Sequence, residues 1–258
     1  MKLKNLFRAF LLLAIVAAGI STAEAKKRTK GRSHRASGVA VSVIAEKSYP
    51  GNLVFKTFQA KKSGSEVTVE FPVSGDEAVL TAIRKWICRE LSYPYSATIS
   101  PETMIKKTLA VVGPNKEIME RQCKISVNYS SDKAITMKSD LYDYMGGAHG
   151  MPTTFQTTFL LSNGSELTSE MLPPINKLRP YIIQAMMKEY DMSRSELQNM
   201  LFGSPDELPL GSPAVVAGGL HIQYQAYDIA PYSAGMPECT IPLSDIKSLL
   251  SPQVLKFF

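Results

Sequence analysis

The chain has 258 residues, of which 45% are hydrophobic, with a formal net charge of +6 and three cysteines. This length suffices for one large or two small packed units, and the composition excludes a fibrous or disulfide-rich protein. Residues 1–35 contain nine of the 29 basic side chains and one of the 23 acidic ones, which leaves 20 basic and 22 acidic side chains in residues 36–258. The folded part is therefore almost neutral, and its charge gives no reason to expect a nucleic-acid partner.

The first 25 residues have the pattern of a secretory signal peptide. A basic start precedes an apolar run over residues 10–20, and Ala23 and Ala25 form an A-x-A cleavage site. The apolar run is shorter than the roughly 20 residues that span a bilayer, so it predicts a cleaved leader and no transmembrane anchor. We expect a secreted or periplasmic protein that is cleaved after Ala25 and begins with a basic linker, residues 26–37.

Residues 38–118 are predicted to form a first α+β region. Alternation of apolar and polar residues indicates strands, with a hairpin turn at Ser63-Gly64, and it places Glu70 on a solvent-exposed face. The period then changes to 3.6 residues, which predicts a helix with Trp86 as a core anchor. A second helix is predicted to begin at Pro101, where proline suits the first helical position.

Residues 119–258 are predicted to form a second α+β region. Three strands in a meander turn at residues 130–132 and at Asn163-Gly164. Helices follow over residues 175–190 and within "SRSELQNML", and a last strand pair lies within "GGLHIQYQAYDIAPY" and "MPECTIPL". Blocks of strands and helices without regular β-α-β alternation predict an α+β fold with antiparallel sheets, helices packed on one side, and two lobes.

The three cysteines, Cys88, Cys123 and Cys239, are far apart in the sequence. In an exported protein one disulfide plus one free thiol is one interpretation, and spacing alone does not choose the pair. Three buried, unpaired thiols are the equal alternative. The sequence has no C-x-x-C motif, which argues against a structural zinc site or a thioredoxin-like site.

The segment "DLYDYMGGAHG", residues 140–150, places two glycines before one of only three histidines. Gly146 and Gly147 permit positive φ or a bulge between two strands. His149 is then placed to hydrogen-bond a neighbouring loop, and "YDIAPY" offers Asp228 and Tyr232 as partners. We therefore expect these two distant segments to meet in space.

The sequence contains no recognisable catalytic set. A metal site needs three or four converging donors, but His149 and His221 are the only histidines of the folded part and no H-E-x-x-H or H-x-H spacing occurs. A G-x-S-x-G elbow is missing, and no cysteine has an activating context. We predict no metal and no cofactor, and an enzyme is the less favoured class.

Two segments resemble the extracytoplasmic domain family DUF3298. The stretch "YDYMGGAHGMPTTFQTTFLLSNGSELTSEMLP" has the family's Gly-Gly-Ala-His core followed by a strand and an Asn-Gly turn. The stretch "LHIQYQAYDIAPYSAGMPECTIPLSDIKSLL" is similar to the family's closing segment, with Ala-Pro-Tyr before an Ile-Pro strand. Upstream, "VEFPVSGDEAVLTAIRKWICREL" is similar to the DUF4163 region that commonly precedes it. Together these resemblances cover most of residues 40–250.

The resemblance implies a secreted bacterial protein with a DUF4163-like region, residues 38–118, and a DUF3298-like domain, residues 119–258. The DUF3298 family includes the sensory domain of the anti-sigma factor RsiV, which recognises lysozyme, and the accessory domain of a peptidoglycan deacetylase. A cell-wall glycan or a protein such as lysozyme is thus the ligand class that the resemblance implies.

If the two segments meet, their tyrosines form an aromatic cleft suited to sugar or peptide binding. The alternative is that these tyrosines pack the core. We predict a non-catalytic binding protein of the cell envelope; the alternatives are an envelope glycan hydrolase with His149 and Asp228 in acid-base roles, or a purely structural protein. The predicted binding residues are Tyr144, Gly146, Gly147, His149, Tyr227, Asp228 and Tyr232.

Overall fold

The first six strands of the described chain pair in sequence order into one sheet, called here the large sheet. The structure is a computed structural model that describes residues 38–258, so the predicted signal peptide and basic linker lie outside the described residues. The strands are β1 (Ser42–Tyr49), β2 (Leu53–Lys62), β3 (Ser65–Ser74), β4 (Glu120–Ser130), β5 (Ala134–Tyr144) and β6 (Met151–Leu160).

Local turns explain most of the pairing in the large sheet. Ser63 and Gly64 join β2 to β3 with φ of 50° and 86°, the left-handed pair that suits the twist of a two-residue hairpin. β3 and β4 are parallel, whereas the other neighbouring strands are antiparallel. A parallel pair needs a long crossover, and here two helices supply it.

These two helices are α1 (Glu77–Glu90) and α2 (Pro101–Ala110). The Asp76 carboxylate accepts the Ala78 N–H at 2.9 Å and caps α1. Their apolar sides and one face of the large sheet form a first core, in which Trp86 is 1% exposed and meets Phe159 edge-on at 6.4 Å between ring centroids. Trp86 is thus the core anchor that the helical period predicts.

A second, small sheet consists of β7 (Ser212–Val216), β8 (Gly219–Gln223) and β9 (Glu238–Pro242), all antiparallel. It forms a second core with α3 (Ile175–Glu189), α4 (Arg194–Met200) and α5 (Leu243–Ile246). β7 is absent from the sequence-based prediction because Pro213 interrupts its pattern. The structure tolerates this proline because β7 is an edge strand, where a missing N–H breaks no ladder.

Buried threonines attach the small sheet to the large one. Thr136 and Thr158 are fully buried, and their hydroxyls lie 2.8 Å apart. Thr136 donates to the Val215 carbonyl at 2.6 Å, and Thr158 accepts the Val215 N–H at 2.8 Å. Polar side chains therefore take the place of a strand ladder where β7 meets the large sheet.

Glu70 in β3 differs from its predicted solvent-exposed position, since it is only 4% exposed. Its carboxylate accepts the Val127 N–H at 2.8 Å and the Tyr49 hydroxyl at 3.3 Å, and it pairs with the Lys47 ammonium. Two side chains of β1 and a backbone N–H of β4 thus enclose a residue that alternation alone places in water. Burial also raises the pKa of the Tyr49 hydroxyl, and the Glu70 charge adds to the rise.

The architecture confirms the predicted mixed α+β fold, with two sheets and two cores. Residues 38–258 make one compact unit, and the large sheet runs without interruption across the predicted boundary at residue 118. The three cysteines are buried and unpaired, as in the second of the two interpretations. Among residues 38–258 no helix has the length and apolarity needed to span a membrane.

Glu90, the last residue of α1, makes folding stability depend on pH. Burial raises the pKa of its carboxyl from 4.5 to about 7, Arg89 opposes the rise, and Glu166 adds to it. Because the folded-state pKa lies above the unfolded one, the stability from this group is complete below about pH 4.5 and is lost as the pH rises through about 7.

We expect Glu90→Gln to raise the free energy of unfolding by about 1–2 kcal/mol near pH 8. At that pH the Glu90 carboxylate is charged and costly to bury, whereas the glutamine amide is neutral. The gain should vanish below the unfolded pKa of 4.5. Urea denaturation at both pH values measures the difference. Glu117→Gln, at an exposed position, is the matched control and should change stability equally at both; an equal gain from Glu90→Gln at both pH values would contradict the assignment.

Candidate functional site

The two segments predicted to meet do so where β5 ends and β6 begins. The rings of His149 and Tyr232 stack with centroids 3.9 Å apart and an interplanar angle of 20°. The Gly150 carbonyl accepts the Tyr232 hydroxyl at 3.0 Å and lies 2.9 Å from His149 Nδ1, a contact that requires the proton on Nδ1. His149 is exposed and Tyr232 half-buried, so the stacked pair faces solvent.

The glycines shape the loop that carries His149. Gly146 and Gly147 have φ of 97° and 90°, the left-handed conformation expected between two strands. The Tyr144 hydroxyl donates to the Gly147 carbonyl at 3.0 Å and closes the loop. Tyr144 therefore stabilises the loop, because its hydroxyl is hydrogen-bonded to the loop backbone.

Gly150 is a structural requirement that the sequence reasoning missed. A Cβ on Gly150 would lie 2.4 Å from Tyr142 Cζ and 2.7 Å from the Asp143 carbonyl oxygen. The Gly150 N–H donates to the Tyr142 hydroxyl at 3.0 Å. The only signal in the sequence was a third glycine directly after the histidine.

Tyr227 completes what we call the aromatic cluster, the rings of His149, Tyr227 and Tyr232. The Tyr227 and Tyr232 ring centroids are 5.7 Å apart, and Tyr227 is 47% exposed. Its φ of 71° is left-handed, which costs a residue other than glycine about 1–2 kcal/mol. Strain of this kind persists where the surrounding structure enforces it, and it is concentrated at functional sites.

Asp228 has a different role from the predicted one. Its carboxylate accepts the Gln225 N–H at 2.8 Å, and among residues 38–258 no hydrogen bond joins it to His149. Gln225 in turn binds the backbone of Thr154 in β6, accepting its N–H at 3.0 Å and donating to its carbonyl at 2.6 Å. Asp228 thus fixes the turn that clamps the Tyr232 segment to the edge of β6.

Two further features adjoin this turn. Asp228 lines a cavity of about 350 Å³ together with Ser169 and Tyr224, whose hydroxyl donates to the Pro209 carbonyl.

The Phe202 N–H donates to the Ile229 carbonyl at 2.9 Å, and the Phe202 ring, 63% exposed, is the most exposed of the large hydrophobic side chains described. Phe202 had no periodic signal in the sequence, so it was not predicted.

The second histidine lies apart from the aromatic cluster, in β8. Burial lowers the pKa of His221, and Glu238, 3.6 Å away, opposes this shift. Its Nδ1 lies 3.3 Å from the Thr240 hydroxyl, while Nε2 is buried without a hydrogen-bond partner. Within residues 38–258 no three His, Cys, Asp or Glu side chains come together as a metal site would require.

The fold and the site define an α+β domain that presents aromatic rings at one end of its large sheet. The model of the family described as "Protein of unknown function (DUF3298)" matches residues 165–244. This part of the chain is therefore a DUF3298 domain, and it contains Tyr227, Asp228 and Tyr232. The glycine-histidine segment lies before the matched residues.

Two solved structures are similar in fold. A member of the DUF3298 family from Bacteroides fragilis has a TM-score of 0.67 and 16% identity, over 81% of this chain and 98% of its own. A DUF3298 family protein from Pseudomonas aeruginosa has a TM-score of 0.56 and 20% identity, over 84% of this chain and 96% of its own. No curated protein matches the chain.

Proposed function

We propose that this protein is a non-catalytic binding protein of the bacterial cell envelope, exported by its leader, and that the aromatic cluster takes a glycan of the cell wall. The observation that carries the proposal is the solvent-facing stack of His149 on Tyr232. An aromatic face offers an apolar surface to the C–H groups of a sugar ring, while its polar tip remains available for hydrogen bonds. Tyr227 extends this surface beside the stack.

The rigidity of the cluster supports a binding role. Gly150 holds the Tyr232 hydroxyl, and Gln225 ties the same segment to β6 through two hydrogen bonds. Tyr227 lies in the turn that the Gln225 N–H and the Asp228 carboxylate close, and its φ is left-handed. A ligand then meets rings that are already ordered, so less conformational entropy is lost on binding.

The same geometry favours binding over hydrolysis by His149 and Asp228. A general acid and a general base must both reach the reacting bond. Here Asp228 is engaged by the Gln225 N–H, and His149 Nδ1 by the Gly150 carbonyl. Both groups therefore act within the scaffold, and no paired arrangement of the two is formed.

We expect Tyr232→Ala to weaken binding of soluble peptidoglycan fragments tenfold or more, about 1.4 kcal/mol, because it removes half of the stack. Isothermal titration calorimetry measures the affinity.

Tyr227→Gly should also weaken binding, although it relieves the strained left-handed backbone at this position and so leaves the thermal midpoint unchanged or higher. Tyr95→Ala, a half-buried ring outside the cluster, is the matched control and should bind normally.

Two results would contradict the glycan proposal. One is the absence of heat with peptidoglycan fragments when lysozyme gives a saturable signal, which would make the ligand a protein. The other is turnover of the fragments that His149→Ala abolishes without loss of thermal stability, which would favour the hydrolase alternative.

A further inference from the structure

A second cavity, of about 410 Å³, lies beside α3, α4 and the short turn Pro205–Glu207. Its volume falls in the range of small-molecule sites. We call it the arginine cavity because it contains two guanidinium groups and one carboxylate. Its lining residues are Asn176, Arg179, Pro180, Ile183, Arg194 and Asp206.

Arg179 is held in place by one of its nitrogens only. Its Nε donates to the Leu208 carbonyl at 2.8 Å, which fixes the plane of the half-buried guanidinium. Among residues 38–258 its two terminal nitrogens have neither a hydrogen-bond acceptor nor an ion-pair partner. Arg179 therefore offers a fixed fork of N–H donors, the geometry that binds a planar carboxylate at two points.

Pro180 adds an acceptor to the same wall. It lies inside α3 and has no N–H, so the Asn176 carbonyl one turn earlier lacks its helical donor. Asn176 is an exposed residue and lines the same cavity. Ile183 and the proline ring supply apolar surface. The cavity thus combines the guanidinium of Arg179, the amide and carbonyl groups of Asn176, and a small apolar surface.

The charges of the cavity favour a singly charged anion. Arg194 and Asp206 form an ion pair with N···O of 2.7 Å at the rim, where their side chains are 50% and 74% exposed. An exposed pair of this kind is weak and opens readily. The two cations and one carboxylate leave a net charge of +1, which attracts an anion. Asp206 repels a dianion more strongly than a monoanion.

We propose that the arginine cavity binds an organic carboxylate, with Arg179 gripping the carboxylate and Asn176 hydrogen-bonding the adjoining amide or hydroxyl. The carboxylate belongs to the end of a short peptide or to a small organic acid. This site is independent of the aromatic cluster and of the glycan proposed there.

The test is a titration of the purified protein with acetyl-Ala-Ala, its C-terminal amide, propionate and inorganic phosphate, followed by amide NMR shifts. Acetyl-Ala-Ala should bind saturably, at least tenfold more tightly than its amide, and should shift the signals of residues 176–183. Comparable affinity for propionate assigns the site to small acids, whereas weaker binding of propionate assigns it to peptide ends.

Variants identify the fork as the cause. Arg179→Lys keeps the charge but loses the two-point geometry, so its affinity for acetyl-Ala-Ala should fall at least tenfold; Arg194→Gln and Asn176→Ala should lower it less. Lys177→Gln removes a charge from the same helix outside the cavity and should bind normally. Equal affinity for the amide, tighter binding of phosphate, or an equal loss in Lys177→Gln would overturn the proposal. Circular dichroism verifies folding, and Arg194→Gln serves as the test if Arg179→Lys does not fold.

Discussion

Replacing Gly219 with alanine is expected to lower the free energy of unfolding by about 3 kcal/mol or more, because the added methyl group has no free space. Its Cβ would lie 2.0 Å from the Ile241 carbonyl oxygen and 2.8 Å from the Ile241 carbonyl carbon. These are backbone atoms of β9, so no side-chain rotation relieves the contact. The β8–β9 register, in which Gly219 pairs with Pro242, would have to shift.

Gly218→Ala is the matched control for this variant. Gly218 has φ of 86°, and a Cβ there would meet nothing within 4 Å. Its replacement should cost only the left-handed backbone penalty of about 1–2 kcal/mol. Urea denaturation followed by far-ultraviolet circular dichroism compares the two. Gly219→Ala equal to or milder than Gly218→Ala would mean that β8 and β9 are not packed as described.

Replacing Trp86 with alanine is expected to cost about 3–5 kcal/mol, the range for removing a fully buried large aromatic side chain. Trp86 is 1% exposed, packs within the first core and meets Phe159 of β6 edge-on. The cavity left behind would lie between α1 and the large sheet. The paired strands limit how far the neighbouring side chains can move in to fill it. Trp86→Phe keeps an aromatic ring and should cost roughly half as much.

The two variants together also test the predicted division at residue 118. Trp86 belongs to the first core and Gly219 to the sheet that builds the second. The large sheet contains strands from both sides of the division, so the whole chain should unfold in one transition. Each variant should then shift the midpoint of that single transition. If Trp86→Ala shifts only an early part of a two-step transition, residues 38–118 and 119–258 unfold as separate domains.

The candidate site has parts with different functions. Gly150, Tyr142 and Gln225 form its frame, through contacts with backbone atoms and a neighbouring ring. The aromatic cluster is the part that faces solvent, and Tyr227 within it has a left-handed backbone conformation. The arginine cavity offers charge where the aromatic cluster offers apolar surface. The ligands proposed for the two sites therefore differ in chemistry.

The meeting of "GGAH" with "YDIAPY" was predicted because the two glycines let the chain turn between strands and so place His149 beside a neighbouring loop. The partner was only partly predictable. Tyr232 stacks on His149, whereas Asp228 caps the turn at Gln225, since that N–H is three residues away and already within reach. The Asp228 carboxylate therefore binds a backbone N–H of its own turn, and within the described residues it makes no hydrogen bond to the distant His149.

By itself the sequence determined the elements whose causes lie within a few residues: the hairpin turn at Ser63 and Gly64, and the helical period that buries Trp86. Only the tertiary structure decided the parallel pairing of β3 with β4, the burial of Glu70 and the need for glycine at position 219. The physical reason is distance along the chain. Each of these features depends on atoms of a strand more than 20 residues away, and a local pattern carries no information about which strand that will be.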